Sequence, residues 1–165
     1  MKTQPNKNYV SNDCVMTPEY MAKEIVNYFN PKDKILEPCK GTGNFLKYLK
    51  DADWCELSEG KDFFDYKNKV NWIVTNPPWS KMRDFLFHSM EISENIVFLV
   101  TINHLWTKAR LRDMKQLNYG IKEILMIPEK TKDFPQTGFR CAAIHLKKGY
   151  TGDIKLSEIE FEEKE

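Results

Sequence analysis

The stretch KILEPCKGTGNF, residues 34–45, decides the fold because it joins an apolar run to a glycine turn. Residues 34–37 predict a short buried strand. Gly41 and Gly43 predict a tight turn after it, since glycine adopts backbone conformations that other residues avoid. The helix expected next carries its apolar side chains at Phe45, Leu46 and Leu49.

The rest of the chain alternates short apolar runs with amphipathic stretches, which is typical of an α/β sheet covered by helices. Further strands are expected at residues 54–56, 63–64, 72–75, 95–101, 121–127 and 139–147, and further helices at residues 81–90 and 106–117. The last two strands are joined by the loop 128–138 and predict an antiparallel pair that closes one edge of the sheet.

A helix is also expected before the glycine turn. Thr17 suits its N-cap, and Pro18 suits its first helical position, where a missing N–H costs nothing. The pair Asn30–Pro31 ends this helix. Its apolar face comprises Met21, Ile25, Val26 and Phe29.

The composition fits one globular domain. The chain has 165 residues, of which 41% are hydrophobic. We expect residues 1–165 to form a single domain, with 1–14 and 160–165 as loose tails and no separate target-recognition domain. The formal net charge of +1 excludes a global basic field, so nucleic acid would have to bind to a local basic patch.

No apolar stretch is long enough for a signal peptide or for the roughly 20 residues of a membrane span. We therefore expect a cytoplasmic protein without a membrane partner. The three histidines are dispersed, and no two of the four cysteines form a C-x-x-C pair, so no metal site is expected. The cysteines are Cys14, Cys39, Cys55 and Cys141.

The glycine turn has the residues of a ligand-binding loop. Glycines that precede a helix N-terminus let backbone amides approach a ligand closely. Leu46 stands where a dinucleotide-binding fingerprint has its third glycine, which disfavours an NAD site. Glu56, nineteen residues after Glu37, ends the expected second strand and can accept hydrogen bonds from both hydroxyls of a ribose.

The segment Asn76-Pro77-Pro78-Trp79 directly follows the apolar run 72–75 and is the most specific motif. The amino nitrogen of adenine is a poor nucleophile because its lone pair is delocalised into the ring. The Asn76 side-chain oxygen and the Pro77 carbonyl can each accept one of its N–H groups and free the lone pair for a methyl donor. Two prolines stiffen the loop, and Trp79 offers a face on which an extruded base can stack.

These motifs resemble those of S-adenosylmethionine-dependent N6-adenine DNA methyltransferases, the amino-methyltransferases with an N-P-P-W motif. Their order is the same: a Thr-Pro pair, the glycine loop, an acidic ribose residue, Asp-Phe, N-P-P-W and a late hairpin. The resemblance implies a Rossmann-like class I methyltransferase fold, with a mostly parallel seven-stranded sheet and an antiparallel edge hairpin. It also implies S-adenosylmethionine as cofactor and adenine-specific DNA methylation as the activity.

The resemblance further implies roles for the residues around the cofactor. Thr17 would close over the methionine carboxylate, and Glu37 would lie near the positively charged methionine end. Asp62 would hydrogen-bond the amino group of the cofactor's adenine, with Phe63 packed beside the ring. A charged turn with a core phenylalanine explains Asp62 and Phe63 equally well.

The substrate side of the site is expected later in the chain. The resemblance implies that Phe139, with Phe134 as a reserve candidate, covers the second face of the acceptor base. Specificity is expected from the loop 128–138, from a homodimer mate or from a partner subunit. DNA phosphates are expected to contact a basic surface that also carries an aromatic residue: Lys81, Arg83, Trp106, Lys108, Arg110, Arg112, Lys115, Lys130, Lys132 and Arg140.

Other functions stay open on the sequence alone. The acceptor could be adenine N6 in RNA or glutamine N5 in a protein, because the same amide-nitrogen chemistry serves both. The chain could also be a non-catalytic cofactor-binding subunit, although the intact motif at Asn76 argues against this. Cys39 follows a proline, as the nucleophile of cytosine-C5 methyltransferases does, but it lies in the cofactor loop, and we interpret it as a small neutral residue.

Overall fold

Seven strands form one sheet in the computed structural model, which describes residues 15–128 and 139–160. The strands are β1 (Ile35–Glu37), β2 (Asp53–Trp54), β3 (Trp72–Thr75), β4 (Asn95–Thr101), β5 (Tyr119–Met126), β6 (Cys141–Lys148) and β7 (Lys155–Glu158). The helices are α1 (Glu19–Phe29), α2 (Met82–Ile92) and α3 (Lys108–Gln116). Short 3₁₀ helices span Leu57–Glu59, Phe63–Asp65, Trp79–Lys81 and Ile102–Leu105.

The order of the strands is β2-β1-β3-β4-β6-β5-β7. Among the described strands only β6 runs antiparallel to its neighbours, β4 and β5, and the other pairs are parallel. This arrangement confirms the expected fold, an α/β protein with a mostly parallel seven-stranded sheet and an antiparallel hairpin.

Alternating side chains of β4 divide the core into two layers. Ile96 and Phe98 pack with apolar residues of α2 and α3, whereas Val97 and Leu99 pack with those of α1. The central strands are thus buried on both faces, as parallel strands covered by helices are.

The carboxyl ends of the parallel strands lie side by side at one edge of the sheet. The register pairs Leu36 of β1 with Ile73 of β3, and Thr75 of β3 with Phe98 of β4. The antiparallel strand β6 begins at this same edge, because Cys141 pairs with Thr101. Ligands of open α/β sheets bind at this edge. The loops that follow β1, β3 and β4 therefore converge on one place.

The expectation that Thr17 caps α1 is wrong. Pro18 is the N-cap, with an extended backbone (φ −56°, ψ 145°) and no side-chain cap hydrogen bond. Its carbonyl accepts the N–H of Ala22 at 3.0 Å, so the helix begins at Glu19. Thr17 is buried, and its carbonyl accepts a hydrogen bond from the side chain of Asn44.

The expectation of a helix after the glycine turn is also wrong. Residues 44–48 form consecutive turns in which N–H groups reach back three residues (Tyr48 to Phe45, 3.0 Å) or four (Leu49 to Phe45, 3.0 Å). A positive φ of 53° at Asp51 then ends the segment before a regular helix develops. Phe45 and Leu49 still enter the core layer beside α1.

The brief strand expected at residues 63–64 is a 3₁₀ helix, Phe63–Asp65. The carboxylate of Asp62 accepts the N–H of Phe64 at 2.9 Å and so caps this helical turn. Adjacent phenylalanines favour a strand, but a preceding aspartate offers the backbone a competing local hydrogen bond.

Strand β7 was not expected from the sequence. It pairs in parallel with β5, from Glu123 opposite Lys155 to Met126 opposite Glu158. The hairpin of β5 and β6 therefore lies one strand inside the edge rather than at the edge itself. The signal is absent because Leu156, the only large apolar side chain of β7, is 70% exposed, so no buried face alternates with a polar one.

Several expectations concern residues outside the described ranges. These are Cys14, Lys130, Lys132, Phe134, the loop residues 129–138, and residues 1–14 and 161–165 of the expected tails. Within the described ranges, no helix combines the length and apolar character needed to cross a membrane.

Candidate active site

A pocket of about 260 Å³ opens at the carboxyl ends of β1 and β3. This volume includes open solvent at the mouth of the pocket, so the space that the protein encloses is smaller. The pocket brings together four predicted site residues: Thr17, Glu37, Gly41 and Asn76. The other lining residues are Val15, Met16, Cys39, Lys40, Thr42, Asn44 and Phe45.

The glycine turn forms the floor of this pocket. Gly41 and Gly43 have φ of 50° and 79°, values that favour glycine, and the N–H of Gly43 donates to the carbonyl of Lys40 at 2.7 Å. A Cβ on Gly41 would lie 2.7 Å from the sulfur of Met16. The turn therefore favours glycine at position 41 for its backbone conformation, whereas the exposed Met16 side chain could move to admit a Cβ.

Glu37 is a buried acid beside the turn. It is 1% exposed, and its Oε2 has no hydrogen-bond partner among the described residues. Burial, reinforced by the nearby carboxylate of Glu56, raises the pKa of Glu37 to about 9. Glu37 is therefore protonated at neutral pH, and a cationic ligand placed against Oε2 would favour its ionised form.

The carboxylate of Glu56, which follows β2, accepts a hydrogen bond from the backbone of the glycine turn. Its Oε2 accepts the N–H of Gly41 at 2.8 Å, and its Oε1 accepts the hydroxyl and N–H of Ser58 at 2.7 and 3.2 Å. Burial alone would raise its pKa, but these hydrogen bonds lower the pKa of Glu56 below its ordinary value. An ionised carboxylate thus lies directly beside the floor of the pocket.

Residues 15–17, which we call the N-terminal strap, border the pocket together with Asn76. The amide nitrogen of Asn76 donates to the carbonyl of Val15 at 3.0 Å, and that of Asn44 donates to the carbonyl of Thr17 at 2.9 Å. Because the Asn76 nitrogen is engaged by a carbonyl, the amide has one orientation. Its oxygen is left as the acceptor that faces the other way.

The remaining residues of the N-P-P-W motif, 77–79, follow Asn76, and Trp79 forms an aromatic pair with His104. Pro77 is buried, and Pro78 (φ −64°, ψ 117°) is the N-cap of the 3₁₀ helix that begins at Trp79. Half-buried Trp79 packs against both core layers. Its ring centroid lies 5.3 Å from that of His104, at an angle of 49° between the ring planes.

Phe139 lies at the same edge of the sheet. It is 56% exposed and immediately precedes Arg140, whose carbonyl accepts the N–H of Ile102 at 3.0 Å. Ile102 begins the 3₁₀ helix that carries His104. The structure therefore places Phe139 next to the segment that packs on Trp79, in keeping with the expected position of the late hairpin.

Known structures share this fold, although no family model and no curated protein matches the chain. A Listeria monocytogenes protein assigned to the class I S-adenosylmethionine-dependent methyltransferases has a TM-score of 0.66 and 16% identity, over 93% of this chain and 68% of that one. The M protein of the type I restriction enzyme EcoKI has a TM-score of 0.60 and 16% identity, over 85% of this chain and 45% of that one. The 23S rRNA methyltransferase ErmE has a TM-score of 0.59 and 12% identity, over 84% of this chain and 72% of that one.

The fold is that of class I methyltransferases. Because the sequence identities are only 12% to 16%, these comparisons establish the fold alone. The neighbours include both a restriction-enzyme subunit and an rRNA methyltransferase, so the acceptor of this chain has to be derived from its own residues.

Within this methyltransferase fold, Asp62 and Phe63 are not among the residues that line the pocket beside Asn76. Asp62 caps a helical turn, and Phe63 is 2% exposed, with ring centroids 4.9 Å from Phe85 and 4.7 Å from His88. Phe63 is therefore a core residue in this conformation, and the adenine contact of the pair stays a prediction.

Cys39 lines the pocket but is a poor nucleophile. Burial and the nearby carboxylates of Glu56 and Glu37 raise the pKa of Cys39 to about 12. A thiol with this pKa holds almost no thiolate at neutral pH, and the thiolate is the reactive form. The structure therefore favours our interpretation of Cys39 as a neutral loop residue.

Several arginines of the expected basic surface form ion pairs within the protein. Asp113 accepts hydrogen bonds from Arg83 at 2.8 and 3.3 Å and lies 3.8 Å from Arg112. Arg140 pairs with Glu158 and donates to the carbonyl of Ile127 at 3.0 Å. These three arginines are therefore held by the protein itself.

Four residues at the site went unnoticed in the sequence. Val15 acts through its backbone carbonyl, and Met16 through a side chain that reaches Gly41 only in the folded chain, so neither leaves a signal in the sequence. Asn44 could have been noticed as the polar residue after the second glycine. His104 lies in the loop after β4, where its approach to Trp79 depends on the tertiary fold. The four are Val15, Met16, Asn44 and His104.

Proposed function

We propose that this protein transfers the methyl group of S-adenosylmethionine to an exocyclic amino nitrogen, with adenine N6 in DNA as the acceptor. One observation carries the proposal. Asn76 is fixed by the Val15 carbonyl in the same pocket as the glycine turn and the buried acid Glu37. The group that would hold an amine and the groups that would hold the methyl donor thus border one space.

The residues of the pocket fit the cofactor. When bound, S-adenosylmethionine supplies an electrophilic methyl group on a positively charged sulfur. Glu37, with its unpartnered buried oxygen, would face the cationic methionine end, where its ionised form is stabilised. Gly41 would allow close backbone approach, Thr17 would close the pocket beside it, and Glu56, whose Oε2 accepts the N–H of Gly41, would bind the ribose. Asp62 and Phe63 would follow the cofactor toward its adenine.

Asn76 and Pro77 would activate the acceptor by position rather than by covalent chemistry. The Asn76 oxygen and the Pro77 carbonyl each accept one N–H of the amine, which turns its lone pair out of conjugation. The cofactor, when bound, would supply the methyl group to that nitrogen and leave as the neutral thioether, with Asn76 and Pro77 holding the amine in line for the transfer. The displaced N–H proton leaves to water.

Aromatic side chains favour a nucleobase as the acceptor. Trp79 lies with its ring centroid 5.3 Å from that of His104, and Phe139, which precedes the Arg140 bonded to Ile102, is exposed. Base–aromatic stacking contributes about 1–3 kcal/mol for each base. The EcoKI M protein, which belongs to a type I restriction enzyme and shares this fold, supports DNA as the polymer.

The direct test offers four acceptors to the protein with methyl-labelled cofactor: duplex DNA, single-stranded DNA, RNA and a glutamine-containing peptide. We expect label in DNA, released by hydrolysis as N6-methyladenine. Label in RNA alone would move the acceptor to RNA, and label in the peptide alone would contradict the nucleobase assignment. Cofactor binding without any transfer would support a non-catalytic subunit.

Asn76→Ala provides the matched variant for this test. We expect methyl transfer to fall by about 100-fold or more, as when a preorganised acceptor is removed from an active site. The dissociation constant for the cofactor should change little, because Asn76 contacts the amine. Transfer at the wild-type rate would refute the role of this side chain.

A further inference from the structure

We infer that residues 102–110, which we call the β4–α3 corner, bind the DNA strand beside the target base. In this corner Trp106 stacks on a neighbouring base, and Lys108 and Arg110 bind backbone phosphates. The inference rests on the proposed function, because it assumes that the acceptor base belongs to a nucleic acid.

The corner is continuous with the proposed base site. His104 packs on Trp79 at 5.3 Å between ring centroids, and Arg110 donates from Nη1 to the carbonyl of His104 at 2.6 Å. Trp106 lies between His104 and Arg110 in the chain. Its backbone N–H donates to the carbonyl of Asn103 at 3.3 Å. A strand whose base stacks on Trp79 would therefore come close to this corner.

Arg110 differs from the other arginines of the basic surface. Arg83 and Arg112 share Asp113, and Arg140 pairs with Glu158, whereas Arg110 has no carboxylate within 4.0 Å among residues 15–128 and 139–160. Its Nε is buried and has no partner in that part of the chain. Burial and the charge of Arg83 lower the pKa of Arg110. Arg110 is thus a cation that no described carboxylate neutralises, and a phosphate could pair with it.

The start of α3 has the wrong charge for a helix N-terminus. Lys108 and Arg110 lie in the first turn, and no acidic residue accompanies them. Cations at this end oppose the helix dipole, which favours anions there. Sequences break such local rules mainly at functional places. A phosphate at the corner would pair with both cations, whereas the N–H of Arg110 already donates to the Thr107 hydroxyl at 3.3 Å.

Trp106 gives the corner its aromatic surface. It is 46% exposed, although a tryptophan gains most from burial. Exposed aromatic side chains between cations are typical of surfaces that bind single strands, where bases stack and phosphates pair. Because the chain as a whole carries a formal charge of only +1, such binding has to be local.

Binding to a fluorescein-labelled single-stranded DNA 20-mer, followed by anisotropy at several salt concentrations, tests the inference. We expect Trp106→Ala, Lys108→Gln and Arg110→Gln each to weaken binding by about fivefold or more. The two cation variants should also reduce the salt dependence, by about one released counterion each. Phe87→Ala and Lys23→Gln should bind as the wild type does. Phe87 is 42% exposed on α2, and Lys23 is exposed on α1.

The outcomes separate the inference from the proposed function. Wild-type binding by all three corner variants, with DNA methylation intact, would overturn the corner and leave the methyltransferase proposal standing. A wild-type protein that neither binds nor methylates nucleic acid would overturn both. Lys108 is exposed, so Lys108→Gln keeps the test decisive even if Trp106→Ala or Arg110→Gln fails to fold.

Discussion

The raised pKa of Glu37 predicts that cofactor binding depends on pH. Its pKa of about 9 leaves it protonated at neutral pH, and a sulfonium beside it would favour the carboxylate. We expect cofactor binding at neutral pH to release a proton, and affinity to rise as pH increases toward 9. Calorimetry in buffers of different ionisation enthalpy measures this release directly.

Glu37→Gln is the control for that experiment. It keeps the shape of the side chain but cannot ionise, so its binding should release fewer protons. It should also discriminate less between the sulfonium cofactor and its neutral thioether product. Equal proton release by wild type and variant would contradict the role of Glu37.

Gly41 and Gly60 allow a matched comparison, because both have a positive φ, of 50° and 75°, but only Gly41 has a neighbour where its Cβ would be. Replacing either by alanine should lower the free energy of unfolding by about 1 kcal/mol, since each places a side chain in a left-handed conformation. Only Gly41→Ala should weaken cofactor binding. Denaturant unfolding and cofactor titration of both variants check this, and equal cofactor affinities would remove Gly41 from the site.

His145 of β6 links three elements of the fold and makes their packing sensitive to acid. It is 3% exposed, and its ring centroid lies 5.0 Å from Trp72 of β3 and 5.6 Å from Phe29 of α1. Burial, reinforced by the charge of Lys122, lowers its pKa from 6.5 to about 4. Between these two values the unfolded chain binds a proton that the folded chain does not.

The free energy of unfolding should therefore fall as pH decreases from about 7, by about 2 kcal/mol at pH 5 from this group alone. Urea unfolding at both pH values measures the loss. His145→Phe keeps an aromatic ring in the same layer and should lose less stability over that interval. A variant with the same pH dependence as the wild type would show that other groups are responsible.

Elements buried on both faces could be predicted from the sequence, and locally determined ones could not. The bounds expected for β3 and β4, residues 72–75 and 95–101, agree with the structure because each is an apolar run bounded by polar residues. The 3₁₀ helix at Phe63–Asp65 depends on one side-chain hydrogen bond, from Asp62. Strand β7 depends on the free edge of β5, which only the folded sheet provides.

The candidate site followed the same rule. Glu37, Gly41 and Asn76 could be predicted because they lie at or just after strand ends or form the glycine turn, whereas Thr17 was expected from the resemblance alone; the structure brings all four to one pocket. The contact of His104 with Trp79 could not be predicted, since it joins two loops that lie 25 positions apart with α2 and β4 between them.

The whole chain is organised so that the N-terminal strap spans both halves of the pocket. Thr17 is tied to the glycine loop through Asn44, and Val15 is tied to Asn76. Deleting residues 1–17 should therefore lower kcat by about 100-fold, since misplacement by about 1 Å has effects of this size, and should raise KM for the cofactor. The sheet should still unfold cooperatively, because α1 begins at Glu19.

Deleting residues 1–14 is the control, because it leaves the strap in place. Steady-state kinetics with labelled cofactor and circular dichroism of both deletions complete the comparison. Full activity without residues 15–17 would show that Asn76 is oriented by other groups.

The buried acid beside the glycine turn also has a consequence for turnover. Methyl transfer converts a cationic sulfur into a neutral one, and Glu37 would then face no positive charge in a water-poor pocket. We expect it to take a proton from solvent and lose its attraction for the spent thioether. The same carboxyl that favours the fresh cofactor would thus promote departure of the product, so that each cycle ends with the pocket reset.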